Sequence, residues 1–129
     1  MDKNLYEKLI DRYTYLFSDT IKPIRCGYGW YYIIENMCYK MDRWNKIHDN
    51  GVKIKQIKEK FGILCVYTNH NLDEDIHGII SHAIIQSKMT CEDCGKYGHL
   101  IQMDKYYMVL CFKHIVLEYV KRLLTRFKL

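Results

Sequence analysis

The strongest constraint on the fold of this chain is a pair of ligand motifs near its C-terminus. Cys91 and Cys94 form a C-x2-C motif, and Cys111 and His114 form a C-x2-H motif after sixteen intervening residues. Two ligands separated by two residues can hold one ion from a single tight loop, and this ligand set is typical of tetrahedral Zn²⁺. Four protein ligands leave no coordination position for water. The motifs therefore predict one structural zinc ion bound by Cys91, Cys94, Cys111 and His114.

The residues around the second motif predict how this metal-binding segment folds. Segments 100–103 and 106–110 indicate a β-hairpin that turns at Asp104-Lys105, and a helical apolar period follows the C-x2-H motif at once. A knuckle, a hairpin and ligands in the first turn of a helix form a treble clef, whereas a zinc ribbon has no helix at that point. The sequence thus predicts a treble-clef-like finger ending in helix 112–127, whose apolar face contains Ile115, Val116, Tyr119, Val120, Leu123, Leu124 and Phe127.

The preceding part of the chain predicts three more helices. Apolar residues recur with helical spacing over 3–17, where Asp2 is a plausible N-cap, and over 30–44. A third helix opens within 71–74 and reaches about Met89. Each of these segments has apolar residues on one side, with which it is predicted to pack on small antiparallel sheets.

Two short strands are predicted between the second and third helices, at 52–58 and 62–68. Ile54 and Ile57 break the strict alternation of apolar and polar residues, which indicates a β-bulge or a register change. The order helix, helix, hairpin, helix, hairpin, helix predicts an α+β fold in which helices pack on small antiparallel hairpins.

The length of the chain, 129 residues, predicts a single domain over 1–129. Within it we expect a helical and hairpin part, 1–89, and a zinc-binding subdomain with the C-terminal helix, 90–129. The chain has no run of eighteen apolar residues and no apolar N-terminal stretch, so we expect no membrane partner and an intracellular location, in host cytoplasm, nucleus or virion if the protein is viral.

Three cysteines lie outside the ligand motifs, at positions 26, 38 and 65. Thiols stay reduced inside cells, and these three show no ligand spacing. Cys26, Cys38 and Cys65 are therefore interpreted as small buried hydrophobic residues.

The chain is mildly basic, with a net charge of +5, and one cluster of cations lies on the last helix and its tail. Lys121, Arg122 and Arg126, with Lys128, follow the last acidic residue and are candidates for binding phosphates. The alternative is a solvated face whose charges favour the C-terminus of a helix.

Two further surfaces are candidates for contact with a partner. Lys58 and Lys60 belong to a lysine-rich strand, where lysine also serves to block aggregation at a sheet edge. Tyr32, Tyr39 and Arg43 share the polar side of the second helix and suit stacking on bases or a protein interface, unless another element of the chain covers them.

No constellation of catalytic residues accompanies the ligand motifs. A His-Asn-His nuclease needs, within the finger, a histidine that acts as the base and further residues that bind a second metal ion. Between Cys94 and Cys111 this chain has one histidine, His99. The His-x-Glu element of zinc deaminases is absent as well. The sequence therefore predicts a protein that is not an enzyme.

Four blocks of sequence together resemble a family. The blocks are Gly-Tyr-Gly-Trp at 27–30, Gln-Ile-Lys-Glu-Lys-Phe-Gly at 56–62, and the two ligand motifs. Over residues 24 to 115 the chain resembles small uncharacterised proteins encoded mainly by phages, prophages and bacteria. This resemblance implies a viral or mobile-element setting. The first two blocks are interpreted as structural, with Trp30 and Phe61 in the core and Gly62 in a turn, while a charged site at Lys58, Glu59 and Lys60 stays open.

These observations together predict a zinc-stabilised, non-enzymatic binding protein of viral or mobile-element type. Nucleic acid, or a complex that processes it, is the first candidate partner. The alternative is a protein–protein interaction module, either a virion component or a modulator of host machinery.

Overall fold

The computed structural model describes residues 3–18, 21–49, 51–69 and 73–127. The elements follow one another as α1 (Leu5–Arg12), β1 (Ile24–Arg25), α2 (Tyr31–His48), β2 (Ile54–Lys60), β3 (Ile63–Thr68), α3 (Glu74–Ser87), β4 (His99–Met103), β5 (Tyr106–Leu110) and α4 (Phe112–Arg126). The predicted α+β class is confirmed. The predicted N-cap Asp2, the helix start at Asn71 and the tail residue Lys128 lie outside the described residues.

The first helix is shorter than its apolar pattern predicts. It begins after Asn4, whose side chain accepts a hydrogen bond from the backbone N–H of Glu7 (2.8 Å), and it ends at Arg12 instead of residue 17. Leu16 lies in a turn, in which its N–H donates to the carbonyl of Tyr13 (2.9 Å), and its own carbonyl accepts a hydrogen bond from the N–H of Ile54 (2.8 Å). Pairing with β2 therefore replaces the last helical turns, since it satisfies the same backbone groups and still buries Leu16.

The larger sheet has the order β1-β2-β3, and its β1–β2 pair is parallel. Both predicted hairpins are antiparallel, as expected. The predicted loop around Pro23 is corrected, because it contains β1, which pairs with β2 in parallel. The carbonyl of Pro23 accepts a hydrogen bond from the N–H of Ile57 (2.7 Å), so the loop itself joins the sheet. A register shift between Ile54 and Gln56 confirms the predicted β-bulge or register change.

The main core lies where α1, α2 and α3 pack on the inner face of this sheet. Trp30, Ile34 and Met41 are fully buried there, and Ile57 and Leu64 contribute from the strands. A second, much smaller cluster consists of Cys91, Leu110 and Cys111, with Ile101, Met108 and Ile115 partly buried against it. The C-terminal lobe, residues 90–127, thus has little apolar core of its own.

Only one of the three cysteines outside the ligand motifs is fully enclosed. Cys38 is buried, whereas Cys26 and Cys65 are half-buried, so the predicted burial is confirmed for Cys38 alone. Burial raises the pKa of Cys26 and of Cys38 to about 12, and both thiols therefore stay protonated at neutral pH.

Helix α4 also differs from an ordinary amphipathic helix, because none of its residues is buried. An apolar face as wide as this one normally turns toward a core.

Among the described residues, no helix has the length and apolar character needed to cross a bilayer.

Phe61 was expected in the core, and this expectation is wrong. The side chain is 67% exposed at the tip of the β2–β3 hairpin. Phe61 and Gly62 both have positive φ, 55° and 80°, as in a type I′ turn. The two-residue turn fixes the strand register and points the ring of Phe61 toward solvent. Gly62 lies in the turn, as predicted.

Replacement of Phe61 by glycine should therefore change the free energy of unfolding by less than about 1 kcal/mol. The loss of exposed ring contacts is offset by relief of the left-handed backbone, which costs a non-glycine residue about 1 kcal/mol. Trp30→Ala, which empties a fully buried site, should cost about 3–5 kcal/mol in the same urea titration. A loss above about 2 kcal/mol for Phe61→Gly would contradict the exposed position.

Candidate metal centre and surrounding surfaces

The four predicted ligands converge on one point of the C-terminal lobe. Cys91 and Cys94 lie in the loop before β4, Cys111 directly follows β5, and His114 lies in the first turn of α4. Their sulfur and nitrogen donor atoms all lie within 4.8 Å of one another. A group of this kind could hold one metal ion, and its composition is compatible with zinc.

The distances between donor atoms test this assignment. A tetrahedral zinc ion with usual bond lengths separates two sulfurs by about 3.8 Å and a sulfur from a nitrogen by about 3.5 Å. The Cys94 and Cys111 sulfurs are 3.7 Å apart, and Nδ1 of His114 lies 3.6 Å from the Cys91 sulfur and 3.2 Å from that of Cys111. These distances between donor atoms fit a single tetrahedral ion. They also indicate that Nδ1 is the ligand nitrogen of His114.

Electrostatics at the start of α4 favour a thiolate at Cys111. This residue is the N-cap of the helix, and the backbone N–H of His114 lowers the pKa of the thiol to about 6. Burial instead raises the pKa of Cys91. Metal binding must therefore displace the proton of Cys91, so the affinity for the metal is expected to fall with acidification.

Backbone hydrogen bonds hold the first ligand loop in place. The N–H of Gly95 donates to the carbonyl of Cys91 (2.9 Å), and the N–H of Cys91 donates to that of Lys96 (2.7 Å). Gly95 has a φ of 83°, which confirms the sharp turn predicted from glycine after the second cysteine. The N–H of Glu92 donates to the carbonyl of Val109 (3.0 Å) and so ties the loop to β5.

The Gly-Tyr-Gly-Trp segment before α2 joins the ligand loop to the main core. The N–H of Gly29 donates to the carbonyl of Glu92 (2.7 Å), and the N–H of Gly27 donates to the Oε2 atom of Glu92 (2.8 Å). Nε1 of the buried Trp30 donates to the carbonyl of Thr90 (2.9 Å). This segment therefore aligns the C-terminal lobe against α2.

Glycine is required in this segment because the two backbones nearly touch. A Cβ atom on Gly29 would lie 2.1 Å from the carbonyl oxygen of Cys91, and one on Gly27 would lie 2.4 Å from that of Glu92. Sequence reasoning identified Trp30 but missed the clamp formed by Gly27, Gly29 and Glu92. The Gly-x-Gly spacing was the available signal, yet it indicated only a loop.

The predicted cations of α4 are largely engaged within the molecule. Arg122 contacts Glu118 (3.0 Å) and Asp104 (3.2 Å), and Arg126 lies 3.9 Å from Asp104. Asp104 belongs to the β4–β5 turn, which folds back beside the helix. Lys121 remains exposed, so the structure does not bring Lys121, Arg122 and Arg126 together as one open cationic cluster.

The tyrosine surface on α2 is open. Tyr32 is 79% exposed, and Tyr39 is about half exposed and accepts a hydrogen bond from Nη1 of Arg43 (3.0 Å). The alternative that another described element covers this surface is therefore contradicted for both tyrosines.

Lys58 and Lys60 lie on the outer face of the larger sheet. Arg25 is the β1 partner of Lys58, and Nζ of Lys58 lies 5.6 Å from the ring centre of Tyr67 on β3. We call Arg25, Lys58, Lys60 and Tyr67 the basic sheet face. Because β2 is the central strand, the sheet-edge explanation fails for Lys58. Arg25 and Tyr67 were missed, since only the parallel pairing of β1 reveals that they are neighbours of Lys58.

Comparison with protein-family models, with curated proteins and with solved structures found no match to this chain.

Proposed function

We propose that this chain is a zinc-stabilised, non-enzymatic protein of viral or mobile-element type that binds single-stranded nucleic acid through its basic sheet face. Zinc is proposed because the donor distances match a tetrahedral ion with four protein ligands, which has no open position for catalysis. The order of knuckle, hairpin β4–β5 and ligand-bearing helix α4 supports a treble-clef finger.

The basic sheet face is the observation that carries the nucleic-acid proposal. Strand alternation places Arg25, Lys58 and Lys60 on one side of the sheet, and no outward-facing residue of β1, β2 or β3 on that side is acidic. Tyr67 offers an aromatic ring among these cations and is 42% exposed. Bases stack on such rings while neighbouring cations bind phosphates. This face supports the proposal better than α4, whose arginines are paired with acids.

Neutralisation of the basic sheet face should weaken nucleic-acid binding at least tenfold. The triple variant Arg25→Gln, Lys58→Gln, Lys60→Gln removes the charges that would contact phosphates. Each lost contact should also reduce the slope of log affinity against log salt by about 0.7 for a single strand. Fluorescence anisotropy with labelled DNA and RNA oligonucleotides over a salt series measures both quantities.

The control variant also loses three positive charges, but at positions outside the basic sheet face. Lys8→Gln, Lys40→Gln and Lys88→Gln alter exposed lysines on or beside the three N-terminal helices. They should leave the affinity within about twofold of the wild type, since they lie outside the basic sheet face. Equal weakening by both triple variants, or no binding of either polymer at low salt, would rule out the proposal.

The second function predicted from the sequence, protein–protein interaction, has support from a different surface. Helix α4 exposes an apolar face that no described element covers.

A further inference from the structure

The apolar side of α4 faces solvent along the whole helix. Phe112, Leu124 and Phe127 are 81%, 70% and 69% exposed, and Val116 and Val120 are 44% exposed. At about 100° per residue these five side chains fall within an arc of about 120°. The helix has 15 residues and is therefore about 22 Å long, so the open apolar strip covers roughly four turns.

A groove runs beside this strip, between α4 and the β4–β5 hairpin. Its volume is about 400 Å³, and its lining includes the apolar side chains of Ile101, Met103, Ile115 and Leu123. The groove can accept an inserted side chain next to the exposed strip. A surface of this shape suits an amphipathic helix that places anchoring residues in a groove.

The charged residues of α4 that border the strip are all basic. Lys113 lies inside the arc at its N-terminal end, Lys121 borders one side, and Arg126 borders the other. Glu118, the only acidic residue of α4, lies on the opposite side of the helix, where it binds Arg122 (3.0 Å). Asp104 of the β4–β5 turn also lines the groove, but Arg122 (3.2 Å) and Arg126 (3.9 Å) engage it within the same molecule. A second copy of this chain would therefore bring Lys113 and Lys121 to the contact and no acid of α4 to meet them.

We propose that the α4 face docks an amphipathic helix of another protein whose apolar side is bordered by aspartate or glutamate. The acids of that helix would pair with Lys113 and Lys121, while its apolar side chains would cover Val116, Val120 and Leu124. A flat bilayer surface matches the strip but not the groove beside it, which favours a helix over a lipid surface. This proposal develops the protein-interaction function and is independent of the basic sheet face.

The first test uses the zinc-loaded full chain and two designed peptides of about 18 residues. Both peptides form an amphipathic helix with leucine on the apolar side, and the borders carry glutamate in one and lysine in the other. We expect the glutamate peptide to bind at least tenfold more tightly, as measured by fluorescence anisotropy. Equal binding of the two peptides, or no binding of the glutamate peptide, would overturn the proposal.

Variants of the helix locate the site. Val120→Glu with Leu124→Glu should abolish binding of the glutamate peptide, whereas Ile47→Glu should not, although Ile47 on α2 is as exposed as Leu124. Lys121→Glu should lower the preference for the glutamate peptide over the lysine peptide severalfold. All of these substitutions replace exposed side chains. Circular dichroism and zinc analysis of each variant verify that the fold is kept.

Two other occupants predict different results. A dimer in light scattering that Leu124→Glu dissociates would identify a second copy as the occupant. Tight binding to vesicles of phosphatidylcholine and phosphatidylserine, without binding of the glutamate peptide, would identify a lipid surface. Either result overturns the proposal. The Arg25, Lys58, Lys60 triple variant should bind the glutamate peptide as the wild type does, which separates this proposal from nucleic-acid binding.

Discussion

Replacement of Cys94 by alanine is expected to abolish stoichiometric zinc binding and to unfold the C-terminal lobe. A metal bound by the four residues would supply most of the stability of this lobe, because its cluster has only Cys91, Leu110 and Cys111 as buried members, and two of these are candidate ligands. A two-stranded hairpin is marginal by itself, and α4 has no buried residue. Structural zinc contributes an apparent ~10–16 kcal/mol in small fingers, far more than the remaining contacts can replace.

The main core should survive this substitution, since its buried residues all precede residue 90. Metal analysis of the purified protein and hydrogen exchange resolved along the chain measure the two effects separately. We expect fast exchange over β4, β5 and α4 and retained protection in α2. Cys65→Ala, which changes a half-buried cysteine far from the ligand set in sequence, is the control and should keep one zinc per chain. One zinc per chain in Cys94→Ala would contradict the assignment.

Gly29→Ala is expected to destabilise the protein by about 3 kcal/mol or more, a large effect for one added methyl group. The new Cβ atom would lie 2.1 Å from the carbonyl oxygen of Cys91 and 2.5 Å from that of Glu92. Both obstacles are backbone atoms of the ligand loop, so no side chain can rotate away. To remove this clash, the ligand loop must move away from α2, and this movement breaks the hydrogen bond from the N–H of Gly29 to the carbonyl of Glu92 (2.7 Å).

Gly78→Ala is the matched control, because nothing lies within 4 Å of its Cβ position in α3. There the added methyl group should stabilise the protein by about 0.5–1 kcal/mol, since alanine restricts the unfolded chain and favours a helix. Urea unfolding of both variants, followed by tryptophan fluorescence, tests the opposite signs. A loss below about 1 kcal/mol for Gly29→Ala would show that the ligand loop tolerates displacement from α2.

Local features of the chain were predictable because short-range chemistry determines them. The ligand spacing at Cys91–Cys94 and Cys111–His114 identified the cluster, since each pair acts within one loop or one helical turn. The four helices and the two hairpins follow from apolar periodicity, and the bulge between Ile54 and Gln56 follows from a break in alternation.

Helix and strand ends were less predictable. Residues 13–17 continue the apolar helical period of α1, yet Leu16 and Ser18 exchange backbone hydrogen bonds with Ile54. Periodicity records which side chains are buried, and a strand can bury the same side chains as a helix. The competing partner, 36 residues away for Ser18, has no signature in the local sequence.

The sequence alone determined the ligand set, the class of fold and the positions of most elements, because spacing and periodicity act over a few residues. Tertiary structure decided which residues became neighbours across long separations. It paired Arg25 with Lys58, engaged Arg122 with Asp104, and brought Gly29 against Glu92. It also left the apolar side of α4 open, because the small hairpin β4–β5 covers only one flank of the helix. Such outcomes depend on packing geometry, which a local pattern does not contain.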